Sequence, residues 1–260
     1  MKILVANDDG IDSEGLYQLV KSLNEKHDVT VVAPDIQRSA AAHSATVFSP
    51  IIARKVGFRD LDVTAYSITG MPSDCVKLGI CNLLSEMPDA VFSGINCGPN
   101  LGTDTLYSGT VAAAMEGTIN CVKSVAVSIM SYCPSHYETA AQYASVVADW
   151  LVENDLPVGT MLNINVPDLP AKEVRGVVFK RLGYYEYEPE YVGGTNPRGE
   201  SYFWHPLKLL DKQQRRQQCD VDFEWCENGY IVVSPLHWDW TDVPFMKELE
   251  ESKALQFDVK

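Results

Sequence analysis

Asn7-Asp8-Asp9-Gly10 sets two carboxylates side by side at the end of a short apolar run, with Asp12 and Glu14 close behind. Adjacent carboxylates repel one another, and a bound cation relieves the repulsion. Oxygen donors of this kind suit Mg²⁺ or Mn²⁺. The same residues also read as a polar turn whose aspartate caps the following helix. A second segment, Pro34-Asp35-Ile36-Gln37-Arg38-Ser39, offers a hydroxyl to a metal through Ser39 and a cation to an anion through Arg38. Ser39 fits an ordinary turn equally well. The third segment is the richest. It runs Ser93-Gly94-Ile95-Asn96-Cys97-Gly98-Pro99-Asn100-Leu101-Gly102, then Tyr107-Ser108-Gly109-Thr110-Val111. Its glycines let backbone approach a ligand closely. Asn96 brings a carbonyl oxygen for a metal. Ser108-Gly109-Thr110 stands just before a predicted helix, whose free N–H groups and positive dipole end form a phosphate seat. A capped helix after a long turn is the plainer reading of the same residues.

The elements that must position these segments follow from hydrophobic patterning. Residues 2–6 (KILVA) form a continuous apolar run, as in a strand buried on both faces. Leu16, Leu19, Val20 and Leu23 recur at helical spacing, and 28–33 (DVTVVA) reads as a second strand. Strand, helix, strand opens a parallel α/β sheet. Further strands are predicted at 51–54, 63–69, 90–93, 125–130 and 161–166. Helices are predicted at 74–84, with Pro72 at its entrance and Ser73 as cap, at 109–120 and at 136–152. Later strands are expected at 177–180 and 231–233, and a last helix at 243–256. Residues 184–226 are rich in Tyr, Glu, Gly, Pro and Gln without a helical period, so they read as an extended arm or hairpin. The three chemical segments all fall at carboxyl ends of strands, where ligands bind in open α/β sheets. The expected organisation is a Rossmann-like, mostly parallel sheet over 1–170, with a C-terminal arm and oligomerisation region over 171–260.

The chain has 260 residues, with 21 Lys plus Arg against 35 Asp plus Glu, a formal charge of −14. That balance disfavours duplex nucleic acid and anionic membranes as partners, since both attract basic surfaces. No stretch approaches the roughly 20 apolar residues of a membrane span, and the N-terminal apolar run is too short for a signal peptide. The seven cysteines are scattered, with no Cys-x-x-Cys, and the five histidines do not cluster. Reduced thiols and a cytoplasmic location are therefore expected. The usual P-loop, dinucleotide and nucleophile-elbow patterns are absent. The aromatic residues Trp225 to Tyr230 and His237-Trp238-Asp239-Trp240 read as core or interface packing ahead of a pocket lining. Arg215-Arg216 reads as part of a solvated face.

Taken together the segments resemble the SurE (survival protein E) family of metal-dependent nucleotidases and phosphatases. The resemblance rests on KILVANDDGIDSEGL at 2–16, VVAPDIQRSA at 31–40 and TGMPSDCVKLG at 69–79. It extends through SGINCGPNLG at 93–102, YSGTVAAAMEG at 107–117, LNINVPDLP at 162–170 and SPLHWDWT at 234–241. It implies a divalent metal held by Asp8, Asp9, Ser39 and Asn96, and phosphate contacts from Ser108, Gly109 and Thr110. It also implies a homodimer or homotetramer built through the C-terminal arm. Ala40 stands where the family commonly has Gly, Cys97 where it often has Ala, and Ser73 where it commonly has Thr. Residues 184–228 match least well.

The implied activity is hydrolysis of nucleoside 5′-monophosphates, with 3′-monophosphates and short polyphosphate as further substrates, and with Asp8 ahead of Asp9 as general base. An aspartyl-phosphate intermediate is the other route. Two different readings compete. One is a receiver-like, Mg²⁺-binding signalling module, which needs an Asp at the end of the third strand where this chain has Ser93-Gly94-Ile95-Asn96. The other is a metal-dependent nucleotide-binding protein without catalysis.

Overall fold

The computed structural model describes residues 1–206, 208–210 and 218–252. Its organising strand is β1 (Lys2–Ala6), whose Leu4, Val5 and Ala6 are wholly buried. Successive side chains of a strand face opposite sides of a sheet. Ile3 and Val5 accordingly join one core layer and Leu4 and Ala6 the other. Helices α1 (Glu14–Leu23) and α4 (Tyr137–Glu153) cover the first layer through Leu16, Leu19, Leu23, Ala140, Ala144 and Leu151. Helices α2 (Pro72–Leu78) and α3 (Gly109–Ile119) cover the second through Cys75, Val76 and Ala113. A sheet covered on both faces explains why its strands are apolar throughout rather than alternating.

The remaining strands are β2 (Asp28–Pro34), β3 (Ala53–Phe58), β4 (Leu61–Ile68), β5 (Ala90–Cys97), β6 (Lys123–Met130) and β7 (Thr160–Pro167), then β8 (Val177–Phe179). After them come β9 (Val192–Thr195), β10 (Ser201–Trp204) and β11 (Ile231–His237). The main sheet runs β3-β4-β2-β1-β5-β6-β7-β11-β8. Its six central strands, β4 to β7 in that order, are all parallel. β3 pairs antiparallel at one edge, and β11 runs antiparallel to β7 near the other. The central order is that of the Rossmann-like doubly wound fold, and the chain changes direction on either side of β1. β2 lies on one flank of β1 and β5 on the other, so the carboxyl ends of these three strands surround the switch-point crevice.

Several expectations need correction. The helix predicted over 74–84 ends at Leu78 and passes into a π-helical turn over Gly79–Leu83. Ser73 lies inside its first turn; the N-cap is Met71, whose N–H donates to the Asp74 carboxylate at 2.9 Å. Pro72, lacking an N–H, suits the first helical position. The strand predicted over 90–93 continues to Cys97 after a register shift between Ser93 and Asn96. Gly94 absorbs that shift at φ +137°, where a Cβ would stand 2.2 Å from the Val127 carbonyl oxygen. Within 184–226, β9 and β10 form the expected hairpin, but α5 (Asp222–Glu227) was not foreseen, being too short to show a period. A last helix, α6, spans Val243–Ser252. Residues 253–256 of that prediction, and the Arg215-Arg216 pair, lie outside the described residues. Trp225 packs edge-on against Tyr230 at the rim of a third core cluster, whereas Trp238 and Trp240 are exposed.

Candidate metal centre and phosphate seat

Asn7, wholly buried, folds the turn that carries the acidic pair. Its amide donates to the Gly10 carbonyl at 3.0 Å and to Ser13 Oγ at 2.7 Å, and its Oδ1 accepts from Gly10 N at 3.3 Å. With the turn so fixed, Asp8 and Asp9 have separate surroundings. Asp8 is 3% exposed and its Oδ1 accepts from the Thr110 hydroxyl. Burial pushes the Asp8 carboxyl up to about 6; the Thr110 hydrogen bond opposes the shift, and the Asp9 charge adds to it. Asp9 is also raised, chiefly by burial, against hydrogen bonds from Cys97 N (3.0 Å) and Gln37 Nε2 (3.2 Å). Both carboxylates thus sit in an environment that disfavours their charge, and this is the state a cation would correct.

The second segment is drawn in by its backbone and by Gln37. Arg38 N donates to the Asp8 carbonyl at 2.7 Å, and Gln37 Nε2 bridges Asp9 to Ser39 Oγ, 2.9 Å away. Ala40 has φ +56°, so the position that commonly carries Gly in the family adopts a left-handed backbone here with a side chain present. Arg38 does not serve an open anion position. Its guanidinium is within 3.4 Å of Asp35 Oδ1 and of the Thr69 carbonyl.

The third segment closes the site from the other flank. Asn96 donates its amide to the Gly98 carbonyl at 2.8 Å, which turns its oxygen away from that contact. Ser108 is the N-cap of α3, its Oγ accepting from Val111 N at 3.0 Å. Gly109 allows α3 to press on the acidic pair, since a Cβ there would stand 2.8 Å from Asp8 Cβ. The Ala42 N–H donates to the Tyr107 carbonyl at 3.0 Å, tying the second segment to the third. His43 Nε2 lies 2.9 Å from Glu116 Oε2 on α3, a second tie between the same two segments.

The fold therefore gathers Asp8, Asp9, Ser39, Asn96, Ser108, Gly109 and Thr110 around one crevice. Sequence reading missed Asn7, Gln37, His43 and Glu116, which position them. It also missed a buried amide network in which Asn163 and Asn165 donate to the Asn100 carbonyl at 2.9 and 3.0 Å. In that network Asn100 donates in turn to Ser128 Oγ at 2.8 Å. The apolar alternation around Asn163 and Asn165 was the available signal, because two asparagines in a buried strand require partners. Among the described residues no three or more His, Cys, Asp or Glu gather as a metal cluster. The donors on hand are two carboxylates with neutral hydroxyl and amide oxygens, a set that fits a hard divalent cation rather than zinc.

A doubly wound α/β sheet with an acidic, oxygen-donor pair at its switch point, pressed against a helix N-terminus, is the class that fold and site define. Residues 3–189 match the family described as Survival protein SurE. The chain is 40% identical over 251 residues to "5′-nucleotidase SurE" of Heliobacterium modesticaldum, covering 96% of this chain and 91% of that one. It is 42% identical over 246 residues to the protein of the same name from Gloeobacter violaceus, covering 94% and 92%. The crystal structure of the SurE protein from Aquifex aeolicus superposes with a TM-score of 0.83 at 34% identity, covering 97% of this chain and all of that one. The chain belongs to the SurE family. No helix among the described residues is long and apolar enough to cross a membrane.

Proposed function

We propose that this protein is a divalent-metal-dependent phosphomonoesterase that hydrolyses nucleoside 5′-monophosphates to nucleoside and phosphate. The observation that carries the reading is the Asp8–Asp9 pair, raised in pKa by burial and pressed through Gly109 against the N-terminus of α3. The names of the relatives support the substrate class. Asp8, Asp9, Ser39 and Asn96 hold the cation, Mg²⁺ or Mn²⁺. When bound, that ion polarises a phosphoryl oxygen and supplies an activated water. Ser108 and Gly109 direct the N-terminus of α3 at the phosphoryl group, where backbone N–H groups stabilise its charge. Thr110 acts indirectly, since its hydroxyl is spent on Asp8. Asp8 is assigned as the general base ahead of Asp9, being the more deeply buried of the two and in contact with Thr110 on α3.

The receiver-like alternative is disfavoured by the sheet, in which β4 and β3 lie outside β2, so that three strands stand on that side of β1. The β9–β10 hairpin, with Phe203 and Trp204 about 70% exposed, is the surface for self-association into a dimer or tetramer. On this reading residues 1–170 are the catalytic core and 171–260 the assembling region. The seven unpaired cysteines suit a cytoplasmic location.

The deciding experiment is phosphate release from a nucleotide panel with Mg²⁺, Mn²⁺ or chelator, using wild type, Asp8→Asn and Asp9→Asn. Metal-dependent release lost in both variants supports the reading. Near wild-type turnover in both variants overturns the metal-site assignment, and tight metal-dependent binding without release leaves the non-catalytic alternative standing.

A further inference from the structure

Cys97 stands at the end of β5, one residue past Asn96, where the family often has alanine. Its backbone N–H donates to Asp9 Oδ2 at 3.0 Å, so this position helps to hold the acidic pair. Its sulfur lies against the 131–135 loop, 3.4 Å from the Tyr132 carbonyl oxygen and 3.8 Å from that of Ser131. The Tyr132 carbonyl belongs to the peptide that leads into Cys133. In a planar trans peptide the oxygen is about 2.8 Å from the next Cα, which puts the Cys97 sulfur within roughly 6 Å of the Cys133 Cα. A charge on Cys133 also bears on the Cys97 thiol. Cys133 is exposed and Cys97 half-buried.

We infer that Cys97 and Cys133 form an oxidative modification site, joined by a disulfide when a peroxide reaches Cys133, and that this bond loosens the metal centre through Cys97. The inference rests on the function proposed above, in which Asp9 and Asn96 hold the cation, and adds a regulation of that site.

Hydrogen peroxide is the oxidant, and the chemistry balances. The exposed Cys133 sulfur attacks one peroxide oxygen, the O–O bond breaks, Cys133 becomes a sulfenic acid and water leaves. The Cys97 sulfur then attacks the sulfenic sulfur. An S–S bond forms, the S–O bond breaks, and the departing hydroxide takes the Cys97 thiol proton as a second water. Two thiols and one peroxide give one disulfide and two waters. An exposed thiol suits the first attack and a half-buried neighbour the second. A disulfide needs Cβ atoms about 3.8 Å apart, so the two segments must draw together. Residues 131–135 form neither helix nor strand and can move. Beyond Cys133, however, the loop is pinned. Ser135 N and His136 N donate to Asp168 Oδ1 at 3.0 and 2.9 Å. Closure therefore also pulls on the end of β5. Displacing Cys97 lengthens its N–H contact with Asp9 and shifts the adjoining Asn96.

The test treats the full chain with hydrogen peroxide in chelator, removes both by desalting, and reads two quantities. Peptide mapping should show Cys97 and Cys133 cross-linked with the loss of two hydrogens. Titration calorimetry with Mn²⁺ alone should show the affinity lowered about ten-fold, the scale of losing a contact behind a metal ligand, and restored by a phosphine reductant. Cys133→Ser should form no such cross-link and keep its Mn²⁺ affinity after peroxide. Cys97→Ala should likewise leave Cys133 without this bond. Absence of the Cys97–Cys133 cross-link in wild type overturns the modification site. A cross-link with unchanged Mn²⁺ affinity, or an equal loss of affinity in Cys133→Ser, overturns its coupling to the metal centre. Wild type that binds no Mn²⁺ before oxidation fails the metal-site assignment itself, and mapping still reads the cross-link, which separates the two failures.

Discussion

Asp8 carries the sharpest consequence at the residue scale. Its carboxyl is raised from an ordinary value of 3.8 to about 6, so between those pH values the folded chain holds a proton that the unfolded chain has released. Stability linked to the protonated carboxyl is fully present below pH 3.8 and is lost as pH rises through 6. The expected result is that the metal-free protein weakens over this interval, by up to about 3 kcal/mol from Asp8. Asp9, raised in the same direction, adds to the trend. Asp8→Asn keeps an acceptor for Thr110 without the charge. Denaturant unfolding in chelator should show this variant more stable than wild type at pH 7 and little different at pH 4. An equal effect at both pH values would show that the buried charge is not the cause. On the proposed function, the same variant should lose activity by about a hundred-fold or more in phosphate release with Mn²⁺, since it would remove a proposed metal ligand and the proposed base. A residue that destabilises the empty fold while serving the site marks a functional position.

At the scale of elements, the approach of α3 to the β1 turn is the critical contact, and Gly109 permits it. A Cβ there would meet Asp8 Cβ at 2.8 Å, Asp8 Oδ2 at 2.9 Å and Pro72 Cγ at 3.0 Å. Gly109→Ala should cost about 1–3 kcal/mol by overpacking. It should also lower kcat by displacing the carboxylate from the N-terminus of α3. Thermal unfolding and steady-state kinetics on one preparation check both. The segment bearing Ser39 depends on α3 as well, through the His43–Glu116 contact and the Ala42–Tyr107 backbone bond. Glu116 also meets Lys77 at 3.3 Å, so α2, α3 and this segment share one buried carboxylate. Glu116→Ala should raise the metal concentration needed for half-maximal activity several-fold and lower stability by up to about 1 kcal/mol, because its partners His43 and Lys77 are solvent-accessible and can turn to water. An activation curve superimposable on wild type would show that the Ser39 segment is held without this anchor.

At the scale of the whole molecule, the acid excess and the site belong to one argument. A charge of −14 disfavours extended polyanions, yet an ion held at Asp8 and Asp9, as proposed, would reverse the local sign for a single phosphate. Binding of Mn²⁺ to the folded state alone should stabilise the protein, by about 2.7 kcal/mol at a hundred-fold excess over Kd. Calorimetry should show the unfolding temperature rise with Mn²⁺ in wild type and not in an Asp8→Asn, Asp9→Asn double variant. The exposed hairpin supplies the other molecular prediction. Replacing 192–204 with a short Gly-Ser turn should leave a smaller particle by light scattering, since it removes the exposed Tyr202, Phe203 and Trp204. An unchanged mass would move self-association to another surface.

Sequence alone determined the parallel α/β class. Apolar runs such as 2–6 have no other stable environment than a sheet covered on both faces, and the β1–α1–β2 order then follows from local pattern. It also located the chemistry, because paired aspartates and a Ser-Gly-Thr before a helix are unusual local chemistry at strand ends. Joining them into one ligand set required the family resemblance, since nothing local links Asp8 to Asn96 or Ser39. Only the tertiary structure decided how the segments meet. The Asp9 contacts to Cys97 and Gln37 span 88 and 28 residues, and His43 meets Glu116 across 73. Such contacts leave no periodicity to read. The continuation of β5 through a register shift, the capping of α2 by Met71 in place of Ser73, and the engagement of Arg38 with Asp35 were settled the same way. The partners of Met71 N and of Arg38 include Asp74 and Asp35, only three residues away, yet which neighbour satisfies each polar group is selected by burial in the folded chain.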